Sequence, residues 1–90
     1  MRQVVNVMES TVFNALDEVL RKNEGLCDCE HCRLDIAAIA LNKLPPIYVV
    51  TAEGEVISRV ETMKAQKMVD VIKAITEGID IVCKNPRHED

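Results

Sequence analysis

Three cysteines fall within six residues, Cys27-Asp28-Cys29-Glu30-His31-Cys32, and a fourth, Cys83, stands near the far end of the 90-residue chain. Thiolates at this spacing suit a zinc ion. Zinc takes four sulfur or nitrogen ligands in a tetrahedron, and two cysteines separated by two residues at a helix start grip it from adjacent directions. Disulfides compete poorly: bridging Cys27 to Cys29, or Cys29 to Cys32, closes a tiny loop with little entropic gain, and a cytosolic protein is kept reduced. A redox role for the Cys29-x-x-Cys32 pair would ordinarily need a helix following a strand in a βαβ setting, which this pattern lacks.

The fourth ligand is either His31 or Cys83. His31 directly precedes Cys32, so using both demands a cramped backbone, whereas Cys83 can fold back onto the turn from the end of the last helix. All four cysteines together are the preferred set, with a buried thiol as the alternative reading of Cys83. Four thiolates on one zinc leave a formal charge of −2, and Arg33 and Lys84 stand beside the ligands in sequence to offset it. Such a closed set has no open position for water or substrate, so its expected role is structural.

Helices must position these residues. Asn6 and Glu9 have capping-box spacing, and Met8, Val12, Leu16, Val19 and Leu20 recur on one face, which predicts a helix over about residues 6–22. Asn23 and Gly25 end it. After the cysteine turn, a second helix is expected from about Glu30 to Lys43, apolar nearly all round and so buried on more than one side. Leu44-Pro45-Pro46 stops it. Residues 47–51 are β-branched and extended in character, Glu53-Gly54-Glu55 reads as a turn, and residues 56–58 as a second extended piece, which together allow a hairpin. A long helix is then expected from about Arg59 to Lys84, roughly 25 residues or ~37 Å. Met68, Val71, Ile72, Ile75, Ile79 and Val82 line one of its faces. Gly78 weakens it by about 1 kcal/mol relative to Ala. The predicted fold is therefore all-α: one small domain over residues 1–90, of three main helices with a short extended segment, pinned by zinc.

Composition bounds the function. Hydrophobic residues make up 48% and charged residues 29%, with no Trp, one Phe and one Tyr, so the core is aliphatic and the chain is not disordered. No apolar stretch approaches the ~18–20 residues of a membrane span, and the N-terminus lacks a signal-peptide pattern, so a cytoplasmic protein is expected. Eleven Lys and Arg face fifteen Asp and Glu for a net charge of −4, which argues against general binding to DNA. No nucleophile partner is evident for His31 or His88, and the three glycines are isolated, so no enzyme activity is expected. The long helix carries more apolar surface than two short partners cover, which points to a symmetric homodimer.

The run Cys27-x-Cys29-x-x-Cys32-x-x-Asp35-Ile36-x-Ala38-x-Ala40-Leu41-Asn42-x-Leu44-Pro45-Pro46-x-Tyr48-Val49 resembles the late competence development ComFB family of bacteria, and Asn85-Pro86-Arg87-His88 resembles the close of some members. The resemblance covers most of the chain. It implies a small helical homodimer containing structural Zn2+ on Cys27, Cys29, Cys32 and Cys83. It also implies two functions, since some members are receptors for the cyclic dinucleotides c-di-GMP or c-di-AMP and others are linked to competence operons. A cyclic dinucleotide wants guanidinium or ammonium groups for its phosphates. Arg87, after Asn85-Pro86, is the best-placed candidate, and Arg59, Lys64 and Lys67 near the start of the long helix could add phosphate contacts. Each of these is otherwise an ordinary solvated charge. The receptor reading is placed first. A protein-interaction module in the competence or DNA-uptake setting is its alternative.

Overall fold

The computed structural model describes residues 3–84, which form four helices and a two-stranded ribbon in the order β1 (Val5–Asn6), α1 (Val7–Lys22), α2 (Glu30–Lys43), β2 (Tyr48–Val49), α3 (Ala52–Thr62) and α4 (Ala65–Lys84). No helix among the described residues is long and apolar enough to cross a membrane.

α1 begins where its cap predicts. The Asn6 side chain is the N-cap and accepts from the Met8 amide at 3.1 Å, satisfying one orphan donor of the first turn. The same Oδ1 also accepts from the Ile47 amide at 2.9 Å, so one carboxamide fixes both the helix start and the returning chain. Met8, Val12, Leu16 and Leu20 are buried along one face of α1, joined by Val7 and Ala15, while Val19 is only partly buried.

α2 lies between α1 and α4 and packs most extensively on α4. Its buried residues are Cys32, Ile36, Ala37 and Ala40. The small alanines let the helices approach, and Gly78 of α4 completes the contact. A Cβ at Gly78 would stand 3.1 Å from the Ile36 carbonyl oxygen and 3.3 Å from Ile36 Cγ2. Gly78 is thus a close-approach residue and not only a weak point in its helix. On α4 the core face is Val71, Ala74, Ile75, Gly78 and Val82, flanked by half-buried Met68 and Ile79. Ile72 departs from the expected face: it is 38% exposed.

Two expectations for residues 47–84 are corrected. The hairpin does not form, because β2 pairs antiparallel with β1, setting Val5 opposite Val49 and Asn6 opposite Tyr48. Residues 52–62 are helical instead. Thr51 caps α3 by accepting from the Gly54 amide at 2.9 Å, and Glu53 and Glu55 in the first turn favour the positive end of the helix dipole. The expected single long helix is two helices, so the three-helix count becomes four. At the break the Thr62 hydroxyl donates to the Arg59 carbonyl at 2.9 Å, and the Met63 amide closes tight bonds onto the Arg59 and Val60 carbonyls at 3.1 and 3.2 Å. Such back-bonding bends and ends a helix without any Gly or Pro. Thr62 is buried at this elbow, the sole buried residue of α3.

Candidate metal centre

Between α1 and α2 the chain turns tightly. The Asn23 amide donates to the Leu20 carbonyl at 3.3 Å and the Leu26 amide to the Asn23 carbonyl at 3.2 Å, while Leu26 packs on the core. This delivers Cys27 to the surface and Cys29 to the N-cap of α2. Cys29 takes an extended backbone, and its sulfur accepts from the Cys32 amide at 3.4 Å. Cys32, one turn on, is 2% exposed within the core. The three sulfurs lie within 4.8 Å of one another, and no disulfide joins any of the four cysteines.

That geometry fits a thiolate-bound ion. With Zn–S bonds of ~2.3 Å, the edge of a sulfur tetrahedron is about 3.8 Å, so the three atoms need to close by at most about 1 Å. Their electrostatics fit as well. Burial first, then hydrogen bonds with Cys27 and Cys29, push the Cys32 thiol up to about 12, a group unfit to be a thiolate without a cation. A divalent ion reverses this and deprotonates coordinating thiols outright.

Cys83 on α4 is not part of the three-sulfur group, yet it lines the same cavity as Cys27 and Cys32. This cavity, about 170 Å³, is otherwise walled by Leu20, Gly25, Leu26, Ile36, Ile79 and Val82. His31 is exposed and does not line it. The two bases expected to offset thiolate charge are engaged by carboxylates. Arg33 donates to both Asp17 oxygens at 2.7 and 3.1 Å, with its guanidinium 4.7 Å from the Phe13 ring centre, and Lys84 pairs with Asp80 at 3.3 Å. Arg33 holds the Asp17 carboxyl below the usual carboxylate range.

The candidate nucleotide-binding residues are placed around the α3–α4 elbow. Arg59 pairs with Glu55 and lines a groove of about 440 Å³ with Thr11, Asn14, Glu18, Met63 and Met68. Lys64 pairs with Glu61 at 3.2 Å, and Lys67 is exposed; neither lines that groove. Arg87, like His88, lies outside the described residues. Sequence reasoning missed the outward face of α3. Val56, Ile57 and Val60 are 62%, 64% and 59% exposed there. The signal was available in their helical spacing, but β-branched residues suggested a strand.

Comparison with known proteins now decides the family. The profile of the late competence development protein ComFB matches residues 5–86. The chain belongs to the ComFB family. Among its relatives is Competence protein ComFB of Bacillus subtilis (strain 168), 26% identical over 83 residues that make up 92% of this chain and 85% of the relative. The solved structure described as a structural characterization of the late competence protein ComFB from Bacillus subtilis is similar with a TM-score of 0.78 and 26% identity, covering 93% of this chain and 92% of that one. The ComFB fold thus extends over the cysteine turn, the ribbon and all four helices.

Proposed function

We propose that this ComFB-family chain is a non-enzymatic cytoplasmic regulatory protein that works by binding another macromolecular surface, on a homodimeric scaffold pinned by structural zinc. The observation that carries this reading is the shape of α3. Its apolar residues face outward while its polar residues face the rest of the protein, an arrangement that makes sense for a docking element and not for a catalytic wall. Zinc on Cys27, Cys29, Cys32 and Cys83 would tie the start of α2 to the end of α4. With four thiolates it would have no open position, and its chemistry would be confined to holding the fold. A reducing compartment suits those thiols.

The second reading is a cyclic dinucleotide receptor. It draws support from Arg59, whose guanidinium lines a groove together with the Asn14 amide and the Thr11 hydroxyl. Carboxylate partners on Arg59 and Lys64 weigh against it, since a phosphate would have to displace Glu55 and Glu61. Calorimetric titration with c-di-GMP and c-di-AMP separates the two. No saturable heat with either nucleotide, together with a bacterial partner retained on the immobilised chain regardless of nucleotide, is the expected result. Saturable binding that weakens in Arg59→Ala would move the assignment to the receptor.

A further inference from the structure

α3 is an amphipathic helix turned inside out. Its residues alternate in pairs: Gly54 and Glu55, then Ser58 and Arg59, then Thr62, are turned toward the protein, whereas Glu53, Val56, Ile57 and Val60 face solvent. A helix normally hides its apolar stripe against the core. Here the inward side carries a Glu55–Arg59 ion pair and a buried threonine, and the outward side carries three β-branched residues followed by Met63 at 73% exposure. Close by in the fold, the ribbon that packs on α3 leaves Tyr48 and Val50 64% and 58% exposed. These six side chains offer on the order of 600–700 Å², near the ~800 Å² per partner of a standard interface.

The charges at the ends of the stripe select the occupant. At 100° per residue, positions 53, 57, 60 and 64 follow one line along α3 and its C-terminal elbow. That line reads Glu53, Ile57, Val60, Lys64: an acid, two apolar residues, a base. A sequence of this form is complementary to itself when reversed. Laid antiparallel on a second copy about a two-fold axis between Ile57 and Val60, each Ile57 meets a Val60, and each Glu53 meets a Lys64. Two-fold symmetry then repeats every contact. A parallel pairing would set acid on acid and base on base, which is repulsive.

We infer that the outward stripe of α3, Val56, Ile57 and Val60 bounded by Glu53 and Lys64, is the homodimer interface of this protein, with the two α3 helices antiparallel. This rests on the homodimeric scaffold proposed above and adds its face and its polarity. Nothing in it uses the zinc ligands, so the metal content of every variant below is an internal control for folding.

Light scattering coupled to gel filtration, across a dilution series, tests it with four variants. Val60→Asp is expected to weaken the dimer by at least about tenfold, as a charge at the centre of a small interface does. Glu53→Lys and Lys64→Glu should each weaken it by roughly three- to tenfold, since each creates two like-charge contacts. The double variant Glu53→Lys/Lys64→Glu should return to within about twofold of the parent, because the swapped pairs re-form only in the antiparallel register. Helical circular dichroism should be unchanged throughout, since all three positions are exposed. A parent chain that is monomeric at every concentration overturns the homodimer itself. A dimeric parent with Val60→Asp equally dimeric overturns only the face. Weakening by both single swaps without recovery in the double variant overturns the antiparallel pairing.

Discussion

At the scale of the residue, Cys29 holds two roles. Its sulfur caps α2 by accepting from the Cys32 amide, and it is one of the three sulfurs that converge on the candidate metal centre. Substitution can separate these roles, because Ser is a strong N-cap and Ala is not. Cys29→Ser and Cys29→Ala should lose bound zinc alike by elemental analysis, yet differ by about 0.5–2 kcal/mol in the stability of the metal-free protein, with Ser the more stable. Equal metal-free stabilities would mean that the cap contributes nothing. A second residue-scale effect concerns Asp17, whose carboxyl Arg33 holds below its unfolded value of 3.8. The group is protonated less readily when folded, so its contribution is fully present above that value and is lost as pH falls through the lower, folded one. Both partners are partly exposed, so the effect is small and screened by salt. Acid denaturation curves of the parent and Asp17→Asn should therefore converge at the lowest pH and separate above it, the gap narrowing in high salt. The cysteine triad was legible in the sequence because its members are neighbours in the chain. That Cys83 shares their cavity was only an expectation, since proximity across 51 positions depends on how α2 and α4 pack.

At the scale of the element, legibility tracked the strength of local signals. α1 and α2 have side-chain caps at their starts and Asn, Gly or Pro beyond their ends, and both stand within a residue or so of where periodicity puts them. The segment after Pro46 carries weaker signals. Val56 and Ile57 favour strands in isolation, but the Thr51 cap and two acids in the first turn win, and β2 finds its partner in β1, far away in sequence. Nor does any breaker residue mark the α3–α4 elbow; a threonine hydroxyl bonded to Arg59 does that work, and this is visible only once the helix exists. Gly78 shows the same limit. In sequence it is a helix weakness, whereas in the fold it is where α4 meets the Ile36 carbonyl. Replacing it with Val improves helix propensity slightly but forces branched methyls into a backbone contact. Gly78→Val is expected to lower stability by about 1–3 kcal/mol in urea denaturation. An unchanged midpoint would show that the α2–α4 interface has slack.

At the scale of the whole molecule, the question is what a chain of this size needs in order to stay folded. A domain of ~60–90 residues buries only roughly 60–65% of its unfolded surface, and its core alone supplies little surplus. Here α3 buries a single residue, so the core is in effect α1, α2 and α4. The cysteine cavity sits where those three helices meet, with Leu20, Ile36 and Val82 each contributing a wall. A metal at this point would staple the α1–α2 turn to the end of α4. Apart from Lys43 with Glu77, no printed ion pair ties α4 to its neighbours, and that pair is exposed at 3.4 Å. An ion bound only by the folded state stabilises it in proportion to the logarithm of its occupancy, ~4 kcal/mol at a thousandfold excess over its dissociation constant. For a domain of this length each kcal/mol moves the Tm by about 4–8 °C. Chelation should therefore lower Tm by more than about 12 °C while leaving α1 helical longest, and one equivalent of zinc should restore it. Cys83→Ala should behave in the presence of zinc like the chelated parent. If that variant keeps one zinc per chain with its full Tm, the fourth ligand lies elsewhere and α4 is held by packing alone.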